Sequence, residues 1–461
     1  MPKQAAQLAC QKLRKYIETE GFKGFDPYDA LNSPILSLLS CGNKYLRIAF
    51  IQILKRLPVN LRPLLLIRKD YNPKGLGLFL WGYAKLYGIA KRENETKGTH
   101  WKDGARHNEK NFTVSKIRCE DMIVQIDRLL DLLEGLKSRD CSGNAWGYNF
   151  DWQSRAFFVP KGTPTVVNSA FIGHALLDTW AITGNRRALE MALPIADFIL
   201  QDLNRHEEED GTFCFSYTPL DRYFVHNANL LGASLLIRLS KIMQSLKSTQ
   251  PAISLSPTPD SSFPNLSMSL TPIPSMSFPR ELESSISDKL PLLDEVECRD
   301  AALAALAWSM RCQRPDGSWF YAEKEGSHWI DSFHTGFNLQ AIRYFMDAGF
   351  GEEWREGYER GVQFYRNNFF LEDGTPKYYH DRPWPIDIHS PAQAVVFFSG
   401  MGKKDRPLMD QILNWMLANM QDESGYFYFQ KYPHYTNSIS YMRWGQAWAF
   451  HALTEYLSHE F

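Results

Sequence analysis

Two stretches of the chain bring an acid, an imidazole and an amide close together. After Gly317 come Trp329, Asp331, His334 and Asn338, and after Gly374 come Trp384, Asp387, His389 and Gln393. On a helix starting near Asp331, His334 and Asn338 fall three and seven positions on and share one face, which aims three polar groups into one cavity. Asp387 and His389 stand just before Pro391, a residue favoured in a first helical turn, so the spacing puts them in the loop leading into a helix. Parallel positions elsewhere hold Asn168 and His174, then His226, Asn227 and Asn229, and finally Arg443 and Gln446. Together they predict a polar ring. Glycoside hydrolysis would need two carboxylates flanking a bond, with Asp331 and Asp387 as the first pair and Asp151 in reserve. Removal of the C5 proton of a uronate would need a base such as His334 or His389, with Arg155, Arg443 or an amide to neutralise the carboxylate. A metal held by both Asp/His pairs is conceivable, but the spacings match no dedicated site, so neither metal nor cofactor is expected. Asp331, Ser332, Asn227 and Ser390 are also good helix caps, a role that needs no ligand; recurrence at one point of every copy is what favours a ligand cavity.

The elements that must position these residues recur five times. Each copy has a glycine in an aromatic turn, at Gly147 (WGYNFDW), Gly211 (DGTFCFSY), Gly317 (DGSWFYAE), Gly374 (DGTPKYYH) and Gly425 (SGYFYFQ). A helix start follows roughly 13 to 21 residues later, and the copies repeat at roughly 50 to 65 residues once one insert is set aside, the mark of a stacked helical hairpin. Outer partners are legible in Ser115 to Leu136, where apolar residues recur at three and four, and after Arg187, Cys298, Glu353 and Asp405. The segment from about Leu76 to Leu136 offers a sixth hairpin, and six close a ring with the glycine loops at one end. The expected fold class is therefore all-α, an (α/α)6 toroid over residues 76–461. Residues 1–75, with helical signals at 45–56 and prolines at 58, 63 and 73, are expected to pack across its end. Residues 248–289, dominated by Ser, Pro and Thr, are expected to be a disordered insert.

Trp146, Tyr148, Trp152, Trp319, Trp329, Trp384 and Trp444 crowd the same loops in a chain with 14% aromatic residues. Sugars stack their C–H faces on such rings while amides and carboxylates bond their hydroxyls, so the mouth suits an oligosaccharide, polysaccharide or sugar conjugate better than an apolar chain. With 51 basic and 52 acidic residues well mixed, nothing drives binding to nucleic acid. Seven cysteines without a CxxC pair indicate neither a disulfide framework nor a zinc ribbon and fit a reducing compartment. The N-terminus carries charges where a leader needs an apolar run, and the most apolar stretches are interrupted by Arg68, Lys69, Asp70 and Pro73. A cytoplasmic protein with no integral membrane segment is expected.

Residues 313–319 (QRPDGSW) resemble the QxxxGxW motif of prenyltransferase and squalene-cyclase repeats, echoed at 421–427 (QDESGYF), a helix-end turn signal that speaks for architecture. The acid DxDD motif of squalene-type cyclases is absent. The segments GFDPYDALNSP, LPVNLRPLL, NPKGLGLFL, WGYNFDWQSR, PTVVNSAFIGHAL and DSFHTGFNLQAI resemble a family encoded in surface-polysaccharide gene clusters, often labelled dehydratases and similar to six-hairpin glycosidase-like proteins and uronyl epimerases. That resemblance implies a toroid acting on a glycan, as glycosidase or as C5-epimerase or lyase. A non-catalytic glycan-binding or assembly module and an isoprenoid-binding toroid are the rival expectations.

Overall fold

The computed structural model describes residues 2–100, 118–154, 157–248 and 294–460. Arg155 and all of the Ser/Pro insert but Ser248 lie outside the described residues. Helices account for most of the chain: α1 (Pro2–Thr19), α2 (Pro34–Ser40), α3 (Lys44–Arg56), α4 (Pro73–His100), α5 (Cys119–Gly135), α6 (Val166–Thr183), α7 (Arg186–Ala192), α8 (His226–Ser248), α9 (Glu295–Arg311), α10 (Ser332–Asp347), α11 (Arg355–Asn368), α12 (His389–Ser399), α13 (Arg406–Met420) and α14 (Trp448–Ser458). Six of them form a closed inner ring, α4 against α6, α6 against α8, then α10, α12, α14 and back to α4. An outer helix backs each hairpin: α5, α7, α9, α11, α13 and α1. The fold is an (α/α)6 toroid.

Patterning explains which helix goes where. An inner helix touches both ring neighbours and an outer helix, so it must be apolar on nearly every side. In α6, residues from Val166 through Leu177 are all buried. Outer helices bury one stripe, as α5 does with Met122, Ile126, Leu129, Leu130 and Leu133. The first helix shows the same stripe, Ala6, Ala9, Cys10, Leu13 and Ile17. It takes the sixth outer position against α13 and α14, so the last inner helix is backed by the first helix of the chain, while α4 and α5 form the hairpin expected over 76–136.

Three of the glycine turns, at Gly317, Gly374 and Gly425, lock their copies to the next outer helix. Gly317 has φ +90°, and a Cβ there would stand 2.5 Å from the Arg360 carbonyl oxygen of α11. Gly425, at φ +105°, would meet Lys12 of α1 at 2.6 Å in the same way. A side chain is excluded at both by conformation and by space. The glutamines of the two QxxxGxW-like motifs complete this lock. Gln313 Nε2 donates to the carbonyls of Gly317 (2.9 Å) and Gly357 (2.8 Å), and Gln421 Nε2 to those of Gly425 (3.1 Å) and Ala9 (3.0 Å).

Residues between α1 and α4 fold over the loop end of the ring. There α2 and α3 form a small apolar cluster with Ala30, Leu31, Leu36, Ile51, Leu54 and Ile67, against which Trp152 and Phe158 pack. Three small antiparallel sheets stiffen the loops: 152–153 with 158–159, 205–207 with 213–215, and 386–387 with 430–431 and 436–437. In the last, Asp387 pairs with Gln430, which carries the loop before α12 onto the loop before α14. No helix among the described residues is long and apolar enough to cross a membrane.

Candidate active site

The mouth end of the toroid is built around Phe333 and Phe337, one turn apart on α10. His334 lies 4.4 Å from the Phe333 ring and 6.0 Å from that of Phe337. His389 stacks on Phe333 at 4.6 Å and stands 5.6 Å from Phe337. Two imidazoles from adjacent inner helices thus share one aromatic bed, and Trp448 (4.3 Å) and Trp444 (4.8 Å) close the far side of His389.

Asp331 is the cap of α10 and also the partner of its histidine. One carboxylate oxygen accepts from the His334 backbone N–H (3.0 Å), and the other lies 2.7 Å from His334 Nδ1. That contact fixes the imidazole with its proton on Nδ1 and its lone pair on Nε2. The Asp331 side chain is 1% exposed and that of His334 23%, so the imidazole, not the acid, faces outward.

Asp387 is held differently. Its Oδ1 accepts from the His389 backbone N–H (2.9 Å) and from Trp444 Nε1 (2.8 Å), and its Oδ2 from Gln430 Nε2 (2.7 Å). Burial raises its pKa despite these donors and the nearby Lys55. The His389 ring receives nothing in return: both of its nitrogens are buried without a hydrogen-bond partner. Burial, with Lys74, Arg443 and His334 nearby, pushes its pKa far below the usual value, so it is a neutral imidazole. A buried polar group left open in this way is what a ligand or ordered water satisfies.

Sequence reasoning missed the third member of this group. Lys74, in the first turn of α4, is 4% exposed, and its Nζ lies 4.2 Å from the Phe171 ring, 5.3 Å from Trp448 and 5.4 Å from Phe337. Those rings belong to α6, α14 and α10, which places the amine near the toroid axis. Burial and the neighbouring Arg443 lower its pKa well below that of a free lysine. The signal available in the sequence was a charge at the head of an otherwise apolar helix start.

Arg443 is anchored by Asp26, also missed: Nε and Nη2 donate to the two carboxylate oxygens at 2.6 and 2.8 Å. Its guanidinium also lies 5.5 Å from Tyr148 and 5.2 Å from Trp444. From α3, Lys55 reaches over the mouth to donate to the Tyr28 hydroxyl at 2.7 Å. Tyr28 in turn packs on Trp444 at 5.6 Å. The surrounding wall is aromatic. Trp152 meets Tyr148 at 6.1 Å and Tyr217 at 5.9 Å, and Trp329 stacks on Tyr321 at 4.5 Å with Tyr321 4.8 Å from His334.

The other expected residues divide into groups. Asn168 is fully buried with neither amide atom bonded, and Asn227, Asn338 and Gln393 each keep a buried oxygen without a partner, so these inner-helix amides also stand open. Asn229 and Gln446 do not. Asn229 accepts from Phe215 N–H and donates to Ala305 and Ser309, while Gln446 accepts from Phe427 N–H and donates to the Phe427 carbonyl. Both amides therefore pin glycine-aromatic loops to inner helices. Asp151 braces a turn, its Oδ1 accepting from Lys161 N–H at 2.7 Å. His174 belongs to another cluster, halfway along α6, with Ser234, Arg238, Tyr344 and Trp81. His226 is turned towards Glu323, and Trp384 is half-buried ahead of the Asp387 strand.

The fold places the chain among the (α/α)6 toroids. Among solved structures, the chain is similar to a cellobiose 2-epimerase from Bacillus thermoamylovorans, at 11% identity and a TM-score of 0.52 over 85% of this chain and 89% of that one. An unsaturated glucuronyl hydrolase specific for heparin aligns at 12% identity with a TM-score of 0.52, over 99% and 96% of the two chains. The family 76 α-mannanase of Bacteroides thetaiotaomicron gives 11%, 0.51, and coverages of 84% and 86%. These likenesses are of fold. No family model matches the chain, and no curated protein matches it by sequence.

Proposed function

We propose that the chain is a carbohydrate-active enzyme that moves a proton at carbon, with a uronate residue of a glycan as substrate and C5 epimerisation or elimination as the reaction. One observation carries this reading: His334 and His389 share the Phe333–Phe337 bed with Lys74 beside them, while all four oxygens of Asp331 and Asp387 already accept hydrogen bonds. Hydrolysis of a glycoside needs one carboxyl to protonate the leaving oxygen and another to attack or to activate water. Carboxylates locked onto Trp444, Gln430 and His334 suit that poorly. Proton abstraction needs a base with a free lone pair, and His334 Nε2, held in that tautomer by Asp331, offers one.

The C5 hydrogen of a uronate becomes acidic only if the adjacent carboxylate is neutralised as charge flows onto it. Arg443, oriented by Asp26, fills that role, the Lys74 amine is a hydrogen-bond donor beside it, and Lys55 adds a cation at the rim. Neutral His389 is placed to hold a sugar hydroxyl or to return a proton. The aromatic wall of Trp152, Tyr217, Tyr321 and Trp329 supplies stacking faces.

The test is product analysis by NMR in deuterium oxide with uronate-containing and neutral oligosaccharides. Deuterium at C5, or a new C4–C5 double bond, on uronate substrates is the expected result. New reducing ends would make the protein a hydrolase, and an unchanged panel bound with measurable affinity would make it a binding module.

A further inference from the structure

At the edge of the mouth, three donor groups of different chemistry converge from separate elements. His226 opens α8, Cys312 is the C-cap of α9, and Glu323 lies in the loop ahead of α10. One ligand atom from each lies within 4.8 Å of the others. His226 is fully buried, its Nε2 is 2.8 Å from Glu323 Oε1, and its ring packs against Trp308 at 5.1 Å. Its other nitrogen lies 3.4 Å from Ser309 Oγ, the kind of outer partner that orients a ligating imidazole. Cys312 is a free, half-buried thiol.

We propose that His226 Nε2, Cys312 Sγ and a Glu323 carboxylate oxygen bind one zinc ion. Imidazole, thiolate and carboxylate are the donors zinc accepts in tetrahedral sites, at about 2.0–2.3 Å. Donors around a shared ion stand roughly 3.3–3.8 Å apart, so Glu323, on an exposed loop, must open its 2.8 Å contact with His226 slightly while the thiol closes in from within 4.8 Å. Binding exchanges the thiol proton for the metal: the Cys312 S–H bond breaks, the proton leaves to solvent and the sulfur pair binds zinc. Water takes the fourth position. The ion would tie the α8 and α9 ends to the 320–329 loop, which carries Tyr321 and Trp329 over His334. The site is independent of the proton-transfer reading.

The experiment uses the full chain, reduced and stripped with a chelator, then titrated with cobalt(II) and separately with zinc(II). Expected are one metal per chain, a near-ultraviolet thiolate-to-cobalt charge-transfer band, tetrahedral visible bands, proton release and a zinc-dependent rise in Tm. Cys312→Ser, at a half-exposed helix end, keeps the fold, abolishes the band and weakens zinc by more than about tenfold, the loss that removal even of an outer partner brings. Glu323→Gln keeps the band and weakens zinc. Absence of the thiolate band in the wild-type chain, or equal zinc affinity in wild type and Cys312→Ser, overturns the proposal.

Discussion

The heads of α10 and α12 read almost alike, Asp-x-x-His in one and Asp-x-His in the other, and they do opposite things. With the histidine three positions after the capping acid, both its backbone N–H and its ring reach Asp331. With it two positions on, only the backbone N–H reaches Asp387, and the ring swings onto Phe333, free of partners. One residue of spacing thus separates an imidazole clamped by its acid and outward-facing from one left neutral and buried. The same acid type serves as tautomer clamp in one copy and as a hub for Trp444 and Gln430 in the other.

Breaking the first head should have the larger effect. His334→Ala removes the proposed base and should lower kcat by about 10²- to 10⁴-fold with the fold intact, and Asp331→Asn should fall most of that way by misplacing the proton. Circular dichroism alongside turnover separates this from unfolding. The Asp26–Arg443 pair that serves both heads comes next. Asp26→Ala leaves a buried guanidinium unpaired and should destabilise the chain by roughly 3–5 kcal/mol in urea unfolding, with Arg443→Met in the same background recovering part of the loss. At the second head, Trp444→Phe removes one of three donors to Asp387 and should cost about 1–3 kcal/mol. It should alter turnover less than His334→Ala does.

The effect that separates the two heads least is in pH. His451, stacked on Trp81 at 4.3 Å, has its pKa lowered to about 4 by burial, against the opposing pull of Glu455. The unfolded chain takes up that proton first, so stability is present above about pH 6.5 and falls as the pH drops towards 4, by at most about 1.4 kcal/mol per unit. The buried neutral His174 and His389 act with the same sign. Tm should fall from pH 7 to pH 5, less steeply in His451→Phe.

The ring itself was legible because its signals are local. A one-sided apolar stripe marks an outer helix, a wholly apolar one an inner helix, and the glycine turn recurs between them. The first helix carried the same stripe from Ala6 to Ile17, but after its turn at Gly21 the chain detours through α2 and α3 before it reaches an inner helix. The site was legible only where it repeats. Asp331, His334, Asp387 and His389 stand at repeated positions and come together. Lys74 and Lys55 do not repeat, and Asp26 meets Arg443 across 417 residues of chain, a pairing that no spacing announces. Conversely, Asn229 and Gln446 repeat because the loops need pinning, and an amide that holds a loop looks in sequence like one that holds a sugar.

The central claim is that imidazole, not carboxylate, does the chemistry. Exchange of the uronate C5 hydrogen in deuterium oxide, followed by NMR for wild type, His334→Ala and Asp387→Asn, tests it most directly. The account predicts exchange in the wild type, its loss in His334→Ala and its survival, reduced, in Asp387→Asn. New reducing ends without C5 exchange, abolished by Asp387→Asn, would contradict it.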